Sequence, residues 1–168
     1  MTNKKMKTIW FCGNNEDTLV IIAEFLGEEL INRDKNVELI VQSEVREILG
    51  RGLKDTPEDK ATFTDRLGFL GNLLHRNDVF ALIVSENAAL NDRKTVKENY
   101  KNYLQINLGD KDDLCNVELN TKNDIKSNVK KIVECLIKEG LIPEKAQEVY
   151  SEEEEEEIRK RLEDLGYV

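Results

Sequence analysis

The first residues of this chain that could do chemistry are Gly13-Asn14-Asn15-Glu16-Asp17-Thr18-Leu19-Val20. A short apolar run, Thr8 to Cys12, ends there and a helical pattern follows. At such a junction the arrangement GxxxxGK[ST] binds nucleotide phosphates. Its glycines let backbone N–H groups wrap the phosphates, its lysine neutralises the β and γ oxygens, and its hydroxyl holds Mg²⁺. Of that arrangement only Gly13 is present; Leu19 stands at the lysine position and Val20 at the hydroxyl position. Glu16 and Asp17 put carboxylates at the helix N-terminus, where an anion would sit. They read either as internal anion mimics that satisfy the helix dipole and repel phosphate, or as plain helix caps. At short range each like-charge contact costs on the order of 1 kcal/mol even in a high-dielectric site. Both readings exclude phosphate from the loop, so no cofactor is expected and Mg-ATP binding is not expected.

Other chemistry is sparse. His75 is the single histidine and has no serine or cysteine near it in sequence. Cys12, Cys115 and Cys135 form no CxxC pair and each lies beside apolar neighbours, as small buried hydrophobes in a reducing compartment do. One histidine and scattered cysteines do not make a conventional zinc site, so no metal is expected. Cys12 is the one thiol near the phosphate-loop position; a helix N-terminus lowers a thiol pKa, but Glu16 and Asp17 oppose that. The net charge of −9 argues against nucleic-acid and anionic-membrane partners, which need a basic footprint. The basic start, Met1 to Lys7, precedes too short an apolar run for a signal peptide or a membrane span, and the cytoplasm is the expected location.

The elements that must position these residues follow from periodicity. Thr8 to Cys12 reads as a buried strand, Thr18 to Arg33 as a helix with Leu19, Ile22, Ala23, Leu26 and Leu30 inward, and Val37 to Val41 as a second strand. Strand, helix, strand is a βαβ unit, which implies a parallel sheet with a right-handed crossover. Helices are expected over Val45–Leu49, from Pro57 to Arg76, from Asn91 to Asn102 and from Asp124 to Glu139. Strands are expected over Val79–Val84, Tyr103–Leu108 and Val117–Leu119. Beyond Pro143, Ser151 and Glu154 form a capping box for a charged helix whose Ile158, Leu162 and Leu165 make a narrow apolar stripe. Residues 1–142 read as one domain and residues 143–168 as a C-terminal helical tail.

Several blocks, taken in order, resemble the adenylylsulfate (APS) kinases. They are Thr8 to Gly13, Val37 to Ile40, Glu44 to Leu53, Arg66 to Phe69, Arg76-Asn77, Val79 to Val84, Asp92-Arg93 with Val96, and Asn102 to Asn107. The resemblance implies an α/β fold: a P-loop-kinase-like three-layer sandwich with a mostly parallel sheet of four to five strands and helices on both faces. APS kinases move the ATP γ-phosphoryl group to the 3′-hydroxyl of APS, giving PAPS. The departures from the family pattern fall on that chemistry. Val41-Gln42-Ser43 replace the block with the acidic pair, Asp55 the aromatic that clamps APS, and Lys60 an arginine. Phe63 replaces an asparagine, Asp65 the first of two arginines, and Asn87-Ala88-Ala89-Leu90 a Ser-Pro-Tyr-Arg loop. Only a short segment after Leu108 stands where the lid would be. Arg46, Arg66 and Arg93 are retained and are the candidate ligands for an anion.

Phosphoryl transfer depends almost wholly on positioning and electrostatic stabilisation, so these losses imply a non-catalytic member with a regulatory or scaffolding role, linked to sulfate activation. The alternatives are a binder or sensor of APS, PAPS or another adenine nucleotide without turnover, and an active APS kinase. By the same resemblance a homodimer is expected, with ATP sulfurylase or an active APS kinase as further partners.

Overall fold

The computed structural model describes residues 6–86, 88–101, 103–144 and 152–166. Strands β1 (Thr8–Gly13), β2 (Asn36–Val41), β3 (Val79–Val84), β4 (Tyr103–Leu108) and β5 (Cys115–Leu119) form one sheet in the order β2-β3-β1-β4-β5. All four pairings are parallel, as the βαβ pattern requires. The connecting helices are α1 (Glu16–Ile31), α2 (Gln42–Leu49), α3 (Pro57–Arg76), α4 (Leu90–Tyr100) and α5 (Ile125–Lys138); α6 (Glu152–Asp164) follows. The sheet is fully parallel rather than mostly so, and α1 and α2 begin earlier than the apolar spacing suggests. The capping box at Ser151 and the side chain of Ile158 lie outside the described residues, as do Asn87 and Asn102.

Alternation along each strand divides the core in two. Ile9 and Phe11 of β1 face α1 and α5, where Leu19, Ile22, Leu26, Leu30, Ile132 and Leu136 close one layer. Trp10 and Cys12 point to the other face and meet Phe63 and Leu67 of α3, Val96 of α4 and Tyr103 of β4. Each fully buried aliphatic side chain contributes up to about 1.5–3 kcal/mol, so the two layers fix the sheet between its helices. On the second face α3 and α4 pack closely because Gly68 presents no side chain: a Cβ there would lie 2.5 Å from Val96 Cγ1.

Because every strand runs the same way, the segments after β1, β2, β3 and β4 all emerge at one edge of the sheet. Ligands of open α/β sheets bind at that carboxyl edge. Among the described residues no helix is long and apolar enough to cross a membrane.

Candidate functional site

At the carboxyl end of β1 the chain turns into helix almost at once. Only Asn14 and Asn15 separate the strand from α1, so Glu16, Asp17, Thr18, Leu19 and Val20 are helical rather than looped. Asn15 is the N-cap; its side-chain oxygen accepts from Thr18 N–H at 3.0 Å, and its carbonyl accepts from Leu19 N–H at 3.1 Å. Two N–H groups that a wrapping loop would turn toward phosphate are therefore spent inside the first turn. Leu19 is fully buried in the layer between α1 and the sheet. Gly13 answers to the sheet itself, since a Cβ at this residue (φ +156°) would come within 2.6 Å of the Leu108 carbonyl oxygen on β4. The carboxylate of Glu16 accepts a hydrogen bond from Ser43 Oγ, linking α1 to the start of α2.

Beside this junction is a cavity of about 510 Å³ between α2, α3 and the segment leading into α4. Its wall carries Arg46, Lys54 and Lys60 as cations and Asp55, Asp59 and Asp92 as carboxylates. Phe63, Leu53, Pro57, Ala88 and Ala89 give it an apolar side, and Gln42 also lines it. Gln42 Oε1 accepts from Ser85 Oγ at 2.5 Å, which ties α2 to the end of β3. Asp59 Oδ2 accepts from Lys54 N–H at 2.7 Å. Asp55 and Lys60, five residues apart across the start of α3, form a 2.9 Å ion pair, and the Lys60 hydrogen bond and charge hold the Asp55 carboxyl below its ordinary pKa.

The three arginines take different places. Arg46 is exposed and lines the cavity. Arg66 donates to the Leu49 carbonyl at 2.5 Å and so joins α3 to the end of α2. Arg93 is buried: its Nε donates to Ala88 O at 2.9 Å, and its two terminal nitrogens donate to Gln105 Oε1 at 2.6 Å and Asp112 Oδ2 at 2.8 Å. Arg66 and Arg93 lie outside the cavity wall, and Arg93 acts on it indirectly by holding Ala88.

Asp112 comes from residues 109–114, the short turn between β4 and β5 where the lid of the family would stand. Burial alone would raise its carboxyl pKa, but hydrogen bonds from Arg93, Leu114 N–H and Gln105 outweigh burial and hold it below the usual carboxylate range. Burial pushes the Cys12 thiol up to about 12, with Arg93 opposing, and the residue packs in the layer with Trp10 and Phe63. His75 is buried at the end of α3, away from the cavity wall. Among the described residues no group of three or more His, Cys, Asp or Glu side chains is placed to hold a metal ion.

Sequence reasoning did not find Asp112, Lys54 or Asp59. Asp112 meets Arg93 across two strand connections, and no local pattern announces such a pair. Asp55 and Lys60 were noticed only as separate departures from a pattern, yet their five-residue spacing around the Thr56 N-cap is what lets them meet.

Residues 5–140 match the family model for adenylylsulphate kinase. The chain belongs to that family. It is 32% identical over 100 residues to an adenylyl-sulfate kinase of Deinococcus deserti, covering 60% of this chain and 55% of that protein. It is 27% identical over 177 residues to a probable bifunctional SAT/APS kinase 2 of Sorangium cellulosum, covering 95% of this chain and 29% of that protein. The chain thus spans about half of the first relative and under a third of the second. Among solved structures, the Mycobacterium tuberculosis APS kinase CysC in complex with AMPPNP and APS superposes with a TM-score of 0.69 at 13% identity, over 79% of this chain and 98% of that one. That likeness carries the fold, a P-loop-kinase-like α/β sandwich.

These findings overturn one expectation. The degenerate loop led to the expectation of no cofactor and no Mg-ATP binding. Membership of a kinase family, with a relative of the same fold solved around AMPPNP and APS, makes nucleotide binding the expectation instead. The expectation rested on one loop alone, and family membership weighs against it. Leu19 and Val20 offer neither a charge nor a hydroxyl.

Proposed function

We propose that this adenylylsulphate kinase family member binds an adenylyl nucleotide in the cavity between α2 and α3 and does not transfer a phosphoryl group, serving as a ligand-dependent regulatory protein of sulfate activation. The observation that carries this reading is the early start of α1 at Glu16 together with the cavity at the same edge of the sheet. Glu16 to Val20 are wound into helix and the Thr18 and Leu19 N–H groups are bonded to Asn15, while the neighbouring cavity has cations for an anionic group and Phe63 for a ring. Transfer needs the terminal phosphoryl group fixed in line with its acceptor, and nothing at Leu19 or Val20 would fix it. Calorimetric titration with APS and PAPS tests the binding half. Binding of either is expected, weakened about tenfold or more in Arg46→Ala, a charge-assisted contact being worth roughly 1.5–3 kcal/mol. Unchanged binding in that variant would move the ligand out of this cavity.

A scaffolding role is a second reading, supported by the Sorangium relative, whose name joins SAT and APS kinase and whose match extends over 95% of this chain. On this reading the partners are an ATP sulfurylase or an active APS kinase, the chain forms a homodimer in the cytoplasm, and residues 143–168 are an appendage to a domain of residues 1–142. Light scattering of the chain alone and mixed with each partner tests it, and a monomer that fails to shift with either would remove it.

A further inference from the structure

The cavity wall is formally neutral, with three cations against three carboxylates, which is unusual company for a polyanionic ligand. The carboxylates are not equivalent. Asp59 is committed to the Lys54 backbone N–H. Asp55 reaches Lys60 at 2.9 Å, and the field of Arg46 also stabilises its charge. Both members of the pair are exposed, so the pair forms in water-like surroundings and is weak enough to be displaced. Arg46 and Lys54 make no side-chain ion pair among the described residues, which leaves Lys60 as the cation already answered.

We propose that Asp55 is a built-in counter-ion that competes with an incoming anion for Lys60, and so biases the cavity toward ligands of low negative charge over polyphosphates. This rests on the cavity being the ligand site. A ligand with one anionic group uses Arg46 and Lys54 and leaves the Asp55–Lys60 pair intact. A ligand with several charges must break that pair and meet the Asp55 carboxylate as well.

The test is a titration of the full chain with inorganic pyrophosphate at low salt, followed by NMR at the amides of Arg46, Lys54 and Lys60. Asp55→Asn keeps the side-chain shape at an exposed position, and Glu134→Gln, an exposed acid on α5, controls for net charge. Asp55→Asn is expected to tighten pyrophosphate on the order of fivefold, as removal of one like charge at close range in a high-dielectric site predicts, with Glu134→Gln unchanged. Equal affinities in wild type and Asp55→Asn, equal gains in both variants, or no shift at these amides in any protein would overturn the proposal. Tightened pyrophosphate with no binding of APS or PAPS would leave it standing and remove the nucleotide reading of the cavity instead.

Discussion

Leu19 stands where phosphate-binding relatives of this arrangement would carry a lysine, and here it is fully buried between α1 and the sheet. A charged side chain at that position would enter an apolar layer without a partner. Leu19→Lys is therefore expected to cost about 3 kcal/mol or more in urea denaturation rather than to restore a phosphate contact. Gly13 is retained for the sheet's sake: Gly13→Ala places a Cβ 2.6 Å from a backbone oxygen that cannot swing away. It should destabilise by about 1–3 kcal/mol whether or not nucleotide is present, and a stability loss confined to the nucleotide-bound protein would contradict that assignment. Asp112 holds Arg93, which holds the Ala88 wall of the cavity. Its folded-state pKa lies below the unfolded value, so its contribution is complete above about pH 4 and is lost as pH falls through the lowered folded value. In acid titration of stability, Asp112→Asn should be less stable than wild type by about 2 kcal/mol at neutral pH and show a shallower decline below about pH 4. Parallel curves would show that this carboxylate is not the titrating group.

The junction of β1 and α1 decides what the carboxyl edge of the sheet can hold. Asn15 caps α1, and the helix that follows converts Glu16 to Val20 from loop into first turn. Removing the cap with Asn15→Ala should cost about 1 kcal/mol, as other N-caps do. Elements with complete local signals were legible in the sequence. Pro57 and the last turn at Arg76 bound α3, and the apolar runs of β3 and β4 match their observed limits residue for residue. The starts of α1 and α2 were less legible because capping and the edge of a sheet set them, not apolar spacing. The helical reading began at Thr18, one residue before the apolar stripe; residues 14–17 read as a turn able to cap the helix, and the cap is Asn15. The cavity was the least legible part. Its wall joins α2, α3 and the segment before α4, and of the three retained arginines only Arg46 lines it. The sequence offers no means to tell that Arg66 and Arg93 bond inward, because their acceptors, the Leu49 carbonyl and the Gln105 and Asp112 side chains, come from other elements.

For the whole molecule, family membership and the geometry of the edge pull in different directions. The family model covers residues 5–140 and the parallel sheet has the family's fold, so a nucleotide is expected. The edge carries a cavity with charged and apolar walls, yet residues 14–20 supply no wrapping loop and residues 109–114 form a short turn pinned by the Asp112–Arg93 pair. Binding without transfer satisfies both. The most direct test is a single incubation of the purified chain with APS and γ-labelled ATP in Mg²⁺, with retained APS and labelled PAPS measured together at enzyme-excess concentrations. APS retained by the protein with no labelled PAPS over hours is the expected result. Labelled PAPS formed in proportion to the protein, and lost in Arg46→Ala, would contradict it and make this chain a working kinase.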